Sequence, residues 1–276
     1  MPVSSKQLSC CLCGEASTST SWKMVDDIQL LKCTQCGLIH LAEIVASPEA
    51  FLDDVNSGDN TGKLEYWGYP EFFTNHRKVF DQFFDERFSR IKNACPPTGK
   101  WLDVGSGYGL WQDYLNHRAQ ENFGLEIEKQ AFLYAQSLGI DLNHQSIENY
   151  ISTERFAVIT MCDVLEHVEE PLFVLSKCHE LLKPGGLLYL QVPDVVGLKY
   201  PFGDSMGVPH HLWQFNVSTL RGLINKVGFL EVEHWTGIQG VIKYYEQGGP
   251  SWWRKLSWQL ARYLRRGNRL QLLVKK

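Results

Sequence analysis

The chain contains no apolar run approaching the roughly 20 residues that a membrane-spanning helix needs, which excludes a helical span. Its first residues lack a basic start followed by an apolar core, so no secretory signal is expected. There is no internal repeat and no low-complexity tract. Net charge is only −4 over 276 residues, so the molecule as a whole exerts little electrostatic pull on nucleic acid. Residues 1–45 offer only Lys6, Lys23 and Lys32 as basic side chains, too few to grip a phosphate backbone. What remains is a globular composition, 44% apolar, 21% charged and 12% aromatic, with length for one large domain and a small appendage. Cytoplasmic residence is the expectation that follows.

Eight cysteines without an export signal read as thiols or metal ligands rather than disulfides. Cys10-x-x-Cys13-Gly14 and Cys33-x-x-Cys36-Gly37 form two knuckles, a spacing that fits a tetrahedral four-cysteine zinc ribbon. Cys10, Cys13, Cys33 and Cys36 are therefore the candidate ligands of a structural Zn2+, and Cys11 is the weaker one. A module over 1–45 has little core of its own, so metal binding would supply much of its folding energy. Residues 46–70, with Pro48, Gly58, Gly62, Gly68 and Pro70 among short polar runs, read as a linker.

From Glu71 to about Asn93 the apolar positions Phe72, Phe73, Val79, Phe80, Phe83, Phe84, Phe88 and Ile91 recur at helical spacing. Beyond Lys100, strand and helix patterns alternate, which predicts an α/β fold with a mostly parallel sheet covered on both faces. Strands are predicted at 101–104, 121–126, 140–143, 156–161, 187–192, 229–235 and 269–275. Helices are predicted at 109–117, 129–138, 171–182 and 218–227. The segment 238–267 reads as an insertion before the last strand. Within it, Trp252, Trp253, Leu256, Leu260, Tyr263 and Leu264 share one face of a helix, against Arg254, Lys255, Arg262, Arg265 and Arg266. Such a helix lies on a membrane surface, packs on its own domain, or makes a homodimer contact; of these, packing on its own domain is the preferred expectation.

The most informative stretch is Trp101-Leu102-Asp103-Val104-Gly105-Ser106-Gly107-Tyr108-Gly109, a short strand running into a turn with glycine at every second position. Glycine there permits positive φ and lets a ligand lie against the main chain. The spacing G-x-G-x-G departs from the dinucleotide fingerprint. Glu126 ends a second strand pattern, and Cys162-Asp163-Val164-Leu165-Glu166-His167-Val168 follows the fourth. Later come Leu182-Lys183-Pro184-Gly185-Gly186, Val192-Pro193-Asp194 and His210-His211-Leu212-Trp213-Gln214-Phe215.

This series resembles the class I S-adenosylmethionine-dependent methyltransferases, in particular the group that includes ubiquinone-pathway O-methyltransferases and enzymes of glycan clusters. The resemblance implies a Rossmann-like, seven-stranded doubly wound sheet over 71–276, with the last two strands antiparallel. It implies S-adenosylmethionine as cofactor, its carboxylate held by the amides of the turn at Gly105, Gly107 and Gly109. Asp103 would fix that loop, Glu126 would accept the ribose hydroxyls, and Ser146 and Ile147 would contact the adenine. Cys162 would be a pocket-wall thiol. Glu65-Tyr66-Trp67-Gly68-Tyr69-Pro70 looks like the aromatic lid of these relatives. His167 and His211 match family histidines and are the candidate general bases, while Asp163, Glu166 and His167 match positions that hold a divalent ion in the ubiquinone-type relatives. The competing reading has Glu166 and His167 cap the next helix. The implied activity is O-methylation of a sugar, nucleotide-sugar or other small hydroxyl, in polysaccharide biosynthesis. An RNA methyltransferase and a non-catalytic binding protein are the alternatives.

Overall fold

The computed structural model describes residues 6–14, 18–25, 27–44, 70–194, 196, 199–200, 206–238 and 249–276, with backbone alone for 70–74. The expected linker and aromatic lid over 46–69 lie outside these residues. Two small sheets form first. Strand β1 (Lys6–Gln7) pairs with β5 (Glu43–Ile44). Strands β2 (Ser19–Val25), β3 (Ile28–Cys33) and β4 (Ile39–Leu41) form an antiparallel meander.

Helix α1 (Pro70–Asn93) leads into the main sheet, whose strands are β6 (Trp101–Val104), β7 (Asn122–Glu126), β8 (Leu142–His144), β9 (Phe156–Cys162), β10 (Leu182–Pro193), β12 (Leu230–Gly237) and β13 (Arg269–Lys275). Between them run α2 (Leu110–Asn116), α3 (Lys129–Ser137), α4 (Pro171–Leu181), α5 (Val217–Val227) and α6 (Trp252–Tyr263). Their spatial order is β12-β13-β10-β9-β6-β7-β8. β13 runs antiparallel to both of its neighbours, and the pairs from β10 to β8 are parallel. The strand order therefore reverses between β6 and β9, where open α/β sheets bind their ligands.

Alternation along the strands sorts the core into two layers. Leu102, Val104, Ile159, Met161, Leu188, Leu190 and Val192 join the cluster under α4 and α5. Trp101, Val158, Leu187, Tyr189 and Leu273 join the cluster under α1 and α2, with Phe84, Trp111 and Tyr114. Asp103, Thr160, Cys162 and Gln191 occupy the polar ends of this second register.

The N-terminal module has no core separate from that of the sheet domain. Leu12, Leu30, Leu38, Ile39 and Leu41 belong to the same buried cluster as Leu220, Leu223 and Ile224. A short strand of the sheet domain, β11 (Trp213–Gln214), extends the N-terminal meander by pairing with β4. Lys226 donates to the Leu12 carbonyl, and Lys6 Nζ lies 2.6 Å from Glu169 Oε2. This pairing had no signal in the sequence, because two residues are too few to show a period.

Candidate active site

The turn after β6 uses its three glycines for two different reasons. A Cβ on Gly105 would run into Val164, and one on Gly109 would run into Ile140 and Ala135, so both are close-packing positions. At Gly107 (φ +52) a Cβ would meet nothing within 4 Å, and this residue opens onto a cavity of about 700 Å³. The amides of the turn are largely used within the fold. Gly105 and Ser106 donate to the Leu125 carbonyl, Gly109 donates to Ser106, and Gly107 donates to Glu126 Oε2 at 2.5 Å. The expectation that the amides of Gly105, Gly107 and Gly109 hold a carboxylate is therefore corrected: each is used within the fold. Glu126, buried, also accepts from the Glu128 amide at 2.7 Å. Burial raises its pKa against the opposing pull of those amides.

A positive group reaches the cavity from α1 instead. Arg87 is buried with its guanidinium 4.8 Å from the Trp111 ring centroid, 5.1 Å from Tyr189 and 5.5 Å from Phe84. Its Nε has no hydrogen-bond partner among the described residues. Burial opposes its charge, and Asp103 is among the groups that uphold it. Asp103 accepts from Thr160 Oγ1 at 2.5 Å, and burial pushes its carboxyl up to about 7. Both residues line the cavity. Arg87 was missed in the sequence, although it stands three, four and seven residues after Phe84, Phe83 and Phe80. A charge within an apolar helical stripe was the available signal.

The cavity lies between α1, the glycine turn and α6. Cys162 is in its wall, its thiol pushed up to about 12 by burial, which leaves it protonated and matches the pocket-wall reading. Asp163 (φ +54) projects from the end of β9. Its Oδ2 accepts from Gln191 Nε2 at 2.8 Å, and its Oδ1 lies 3.0 Å from Arg269 Nε. Gln271 in turn donates to Gln191 at 2.8 Å. A carboxylate thus fixed by an amide relay and a guanidinium faces the same space as Gly107 and Arg87.

A sequence profile described as a methyltransferase domain matches residues 73–234, more than half of the chain. The chain belongs to the methyltransferase-domain family. A ubiquinone biosynthesis O-methyltransferase of Nitrosococcus oceani is 35% identical over 125 residues, 42% of this chain and 53% of that protein. The chain thus spans about half the length of the curated relatives it matches. Among solved structures, the plantazolicin methyltransferase BpumL in complex with SAH superposes with a TM-score of 0.55 at 17% identity, covering 82% of this chain and 94% of that one. An S-adenosylmethionine-dependent methyltransferase of Archaeoglobus fulgidus gives 0.53 at 16% identity, covering 73% and 100%. At such identities these show the fold, which is that of the class I methyltransferases.

Of the other expected site residues of this methyltransferase, Glu126 meets the cavity through its bond to Gly107, and the rest are not in its wall. Glu126, Ser146 and Ile147 are not among its lining residues; Ile147 is buried beneath the strand end. His167 and His211 do not line it either. Their rings meet edge to face at 4.7 Å, and His167 Nδ1 bonds the His210 carbonyl at 3.0 Å. Burial lowers both, His167 to about 4. Beside them lies Glu166, whose carboxylate oxygens have no hydrogen-bond partner among the described residues, His167 Nε2 standing 3.9 Å from Oε1. It therefore does not cap α4, which starts behind Glu170. The groups that could jointly hold a metal are Glu166, His167 and His211, within 4.8 Å of one another. Asp163 is occupied elsewhere, so the set differs from the expected Asp163, Glu166 and His167.

The cysteines are gathered as expected. Cys10, Cys13, Cys33 and Cys36 place their sulfurs within 4.8 Å of one another, and Cys11 is outside the set. Gly14 (φ +82) and Gly37 (φ +76) follow each knuckle in the left-handed region, which favours glycine. Burial would raise the Cys33 thiol, but the amides of Cys36 and Gln35 together with the Cys36 and Cys10 thiols bring it down to about 6, while burial raises Cys10 and Cys13.

Proposed function

We propose that this methyltransferase moves a methyl group from S-adenosylmethionine to a hydroxyl oxygen of a small polyhydroxyl acceptor, a sugar or nucleotide sugar. The observation that carries the reading is Asp163, a fixed carboxylate at the end of β9 that shares one cavity with Gly107 and Arg87. The cofactor supplies a methyl group already activated on a sulfonium. Arg87, whose Nε has no hydrogen-bond partner among the described residues, fits the carboxylate of its methionine end, a charge-assisted contact in a low-dielectric wall. Gly107 leaves room for the ligand against the main chain. Glu126 keeps lone pairs for the ribose hydroxyls beyond those its two amides use.

Asp163 then orients the acceptor hydroxyl and takes its proton, while Gln191 and Arg269 hold the carboxylate still. The amides of Gln191, Gln259 and Gln271 suit ring hydroxyls, and Lys255, Arg262 and Arg269 suit an anionic substituent. This assignment moves the base from the histidines to Asp163. Zinc held by Cys10, Cys13, Cys33 and Cys36 is proposed as the structural metal of the N-terminal module, supported by the sulfur cluster and the left-handed glycine behind each knuckle. Each of the four Cys→Ser changes should then release zinc, measured by metal analysis of the purified chain. A full equivalent retained in all four would end that part of the reading.

The test of the reaction uses methyl-labelled S-adenosylmethionine and separated pools of nucleotide sugars and glycans, lipids, RNA and proteins. Label is expected in the carbohydrate pool as an alkali-stable ether. Label in RNA would overturn the acceptor class, and alkali-labile label would overturn the oxygen assigned. Asp163→Asn should lower kcat by about 10²–10⁴ with the affinity for S-adenosylhomocysteine kept. An equal loss in His211→Gln, with Asp163→Asn active, would return the base role to the histidine.

A further inference from the structure

Helix α6 presents the wrong face to solvent for a helix of a globular domain. Trp252 and Trp253 are each 63% exposed, and Tyr263 is 85% exposed. Leu256, Leu260 and Leu264 are exposed beside them. At about 100° per residue these six side chains fill one arc of the helix. The opposite edge holds the helix to its domain. Ala261 and Trp258 pack on Ile238 and Tyr200, Ser257 bonds the Tyr200 hydroxyl at 3.2 Å, and Arg262 pairs with Glu86. The preferred expectation, an apolar face packed on its own domain, is thereby reversed.

The sequence that carries this helix is basic, and Arg262 is already paired with Glu86 of α1. Residues 247–276 carry eight basic side chains and no acidic one, in a chain whose net charge is −4. Five of the eight, Arg254, Lys255, Arg262, Arg265 and Arg266, stand on or beside the helix. Tryptophan, tyrosine and leucine on one face with arginine and lysine on the other is the composition of a helix in the plane of a bilayer interface. We propose that α6 docks this methyltransferase on the surface of an anionic membrane, its apolar face among the acyl chains and its long basic side chains reaching round to the headgroups.

Two other occupants fit less well. A symmetric dimer through this face would bring two like-charged flanks together. A nucleic-acid strand would match the charge and leave the apolar arc in water. No helix among the described residues is long and apolar enough to cross a membrane, so the contact is peripheral. The consequence concerns the cavity, because Lys255, Trp258, Gln259 and Arg262 of the same helix line it. These residues stand on the domain-facing edge of α6, so docking would hold the cavity on the protein side of the helix, beside the lipid surface. The proposal itself does not depend on the reaction assigned above, and its test involves no turnover.

The full chain is sedimented with vesicles of phosphatidylcholine alone and of phosphatidylcholine mixed with phosphatidylglycerol. Binding is expected to the mixed vesicles, with a blue shift of tryptophan emission and a loss at high salt. Each basic side chain near the surface contributes about fivefold. The triple variant Trp252→Ser, Leu256→Ser, Leu260→Ser should bind at least about tenfold more weakly, and Trp252→Phe should bind nearly as well as the parent. All three altered side chains are solvent-exposed, and unchanged S-adenosylhomocysteine affinity would confirm that the fold is intact. Absence of binding to anionic vesicles would overturn the proposal, as would equal binding by the triple variant. A lipid-free dimer that the triple variant abolishes would overturn it in favour of a second copy.

Discussion

Helices α5 and α6 are both strongly amphipathic, and they turn their apolar faces in opposite directions. In α5 the residues Leu220, Leu223 and Ile224 lie in the shared core of the sheet domain and the N-terminal module. In α6 only Ala261 is buried, and the large apolar side chains face solvent. Their ends differ as well. Asn216 and Thr219 form a reciprocal capping box on α5, and Gly228 (φ +95) closes its C-terminus. Ser251 accepts from the Arg254 amide at 3.4 Å, a weaker cap on an exposed end. Amphipathicity in a sequence thus says that a face seeks an apolar environment; whether the protein supplies that environment depends on what the rest of the chain brings to it.

The comparison can be broken most forcefully in the core. Leu223→Ala should cost about 2–5 kcal/mol in denaturant unfolding, the usual range for a fully buried leucine. A cost below about 1 kcal/mol would mean that α5 is not packed as described. On the opposite face of the sheet burial acts on charge rather than on hydrocarbon. Asp103 is lifted to about 7, whereas in the unfolded chain it titrates near 3.9. Between those values the folded chain holds the extra proton, so stability falls as pH rises, by at most about 1.4 kcal/mol per unit. Asp103→Asn should flatten that slope between about pH 4 and 7, read from unfolding midpoints across the range. Asn216→Ala should cost about 1 kcal/mol through the lost cap. The smallest effect belongs to α6: Leu260→Ala in lipid-free buffer should change stability by less than about 0.5 kcal/mol. A larger cost would show that this face is covered by the chain itself.

The sheet was legible because its signals are local and repeat. The strand pattern 101–104 is β6 itself, and 156–161 is β9 less one residue. Buried parallel strands read as continuous apolar runs, and the glycine turn marks where one of them ends. The four cysteines were equally legible, because ligand spacing is a property of a short segment. What the sequence concealed depends on contacts between distant segments. The pairing of β4 with β11 joins residues 39–41 to 213–214, and nothing in either pair of neighbours announces the other. Arg87 reads as a surface charge until Trp111 and Tyr189 are seen to enclose it. The histidines at 167 and 211 matched a family pattern in order along the chain, yet they stand with Glu166 outside the cavity. Chain order fixes which loop carries a side chain, and packing decides which way that loop faces.

The most direct test of the central claim is calorimetric titration of S-adenosylhomocysteine into the parent chain and into Arg87→Met. Saturable one-to-one binding is expected for the parent, and binding at least about tenfold weaker once the buried guanidinium is replaced by an apolar side chain. Parent binding with equal affinity in Arg87→Met, or no binding by the parent at all, would contradict the assignment of this cavity as the cofactor site.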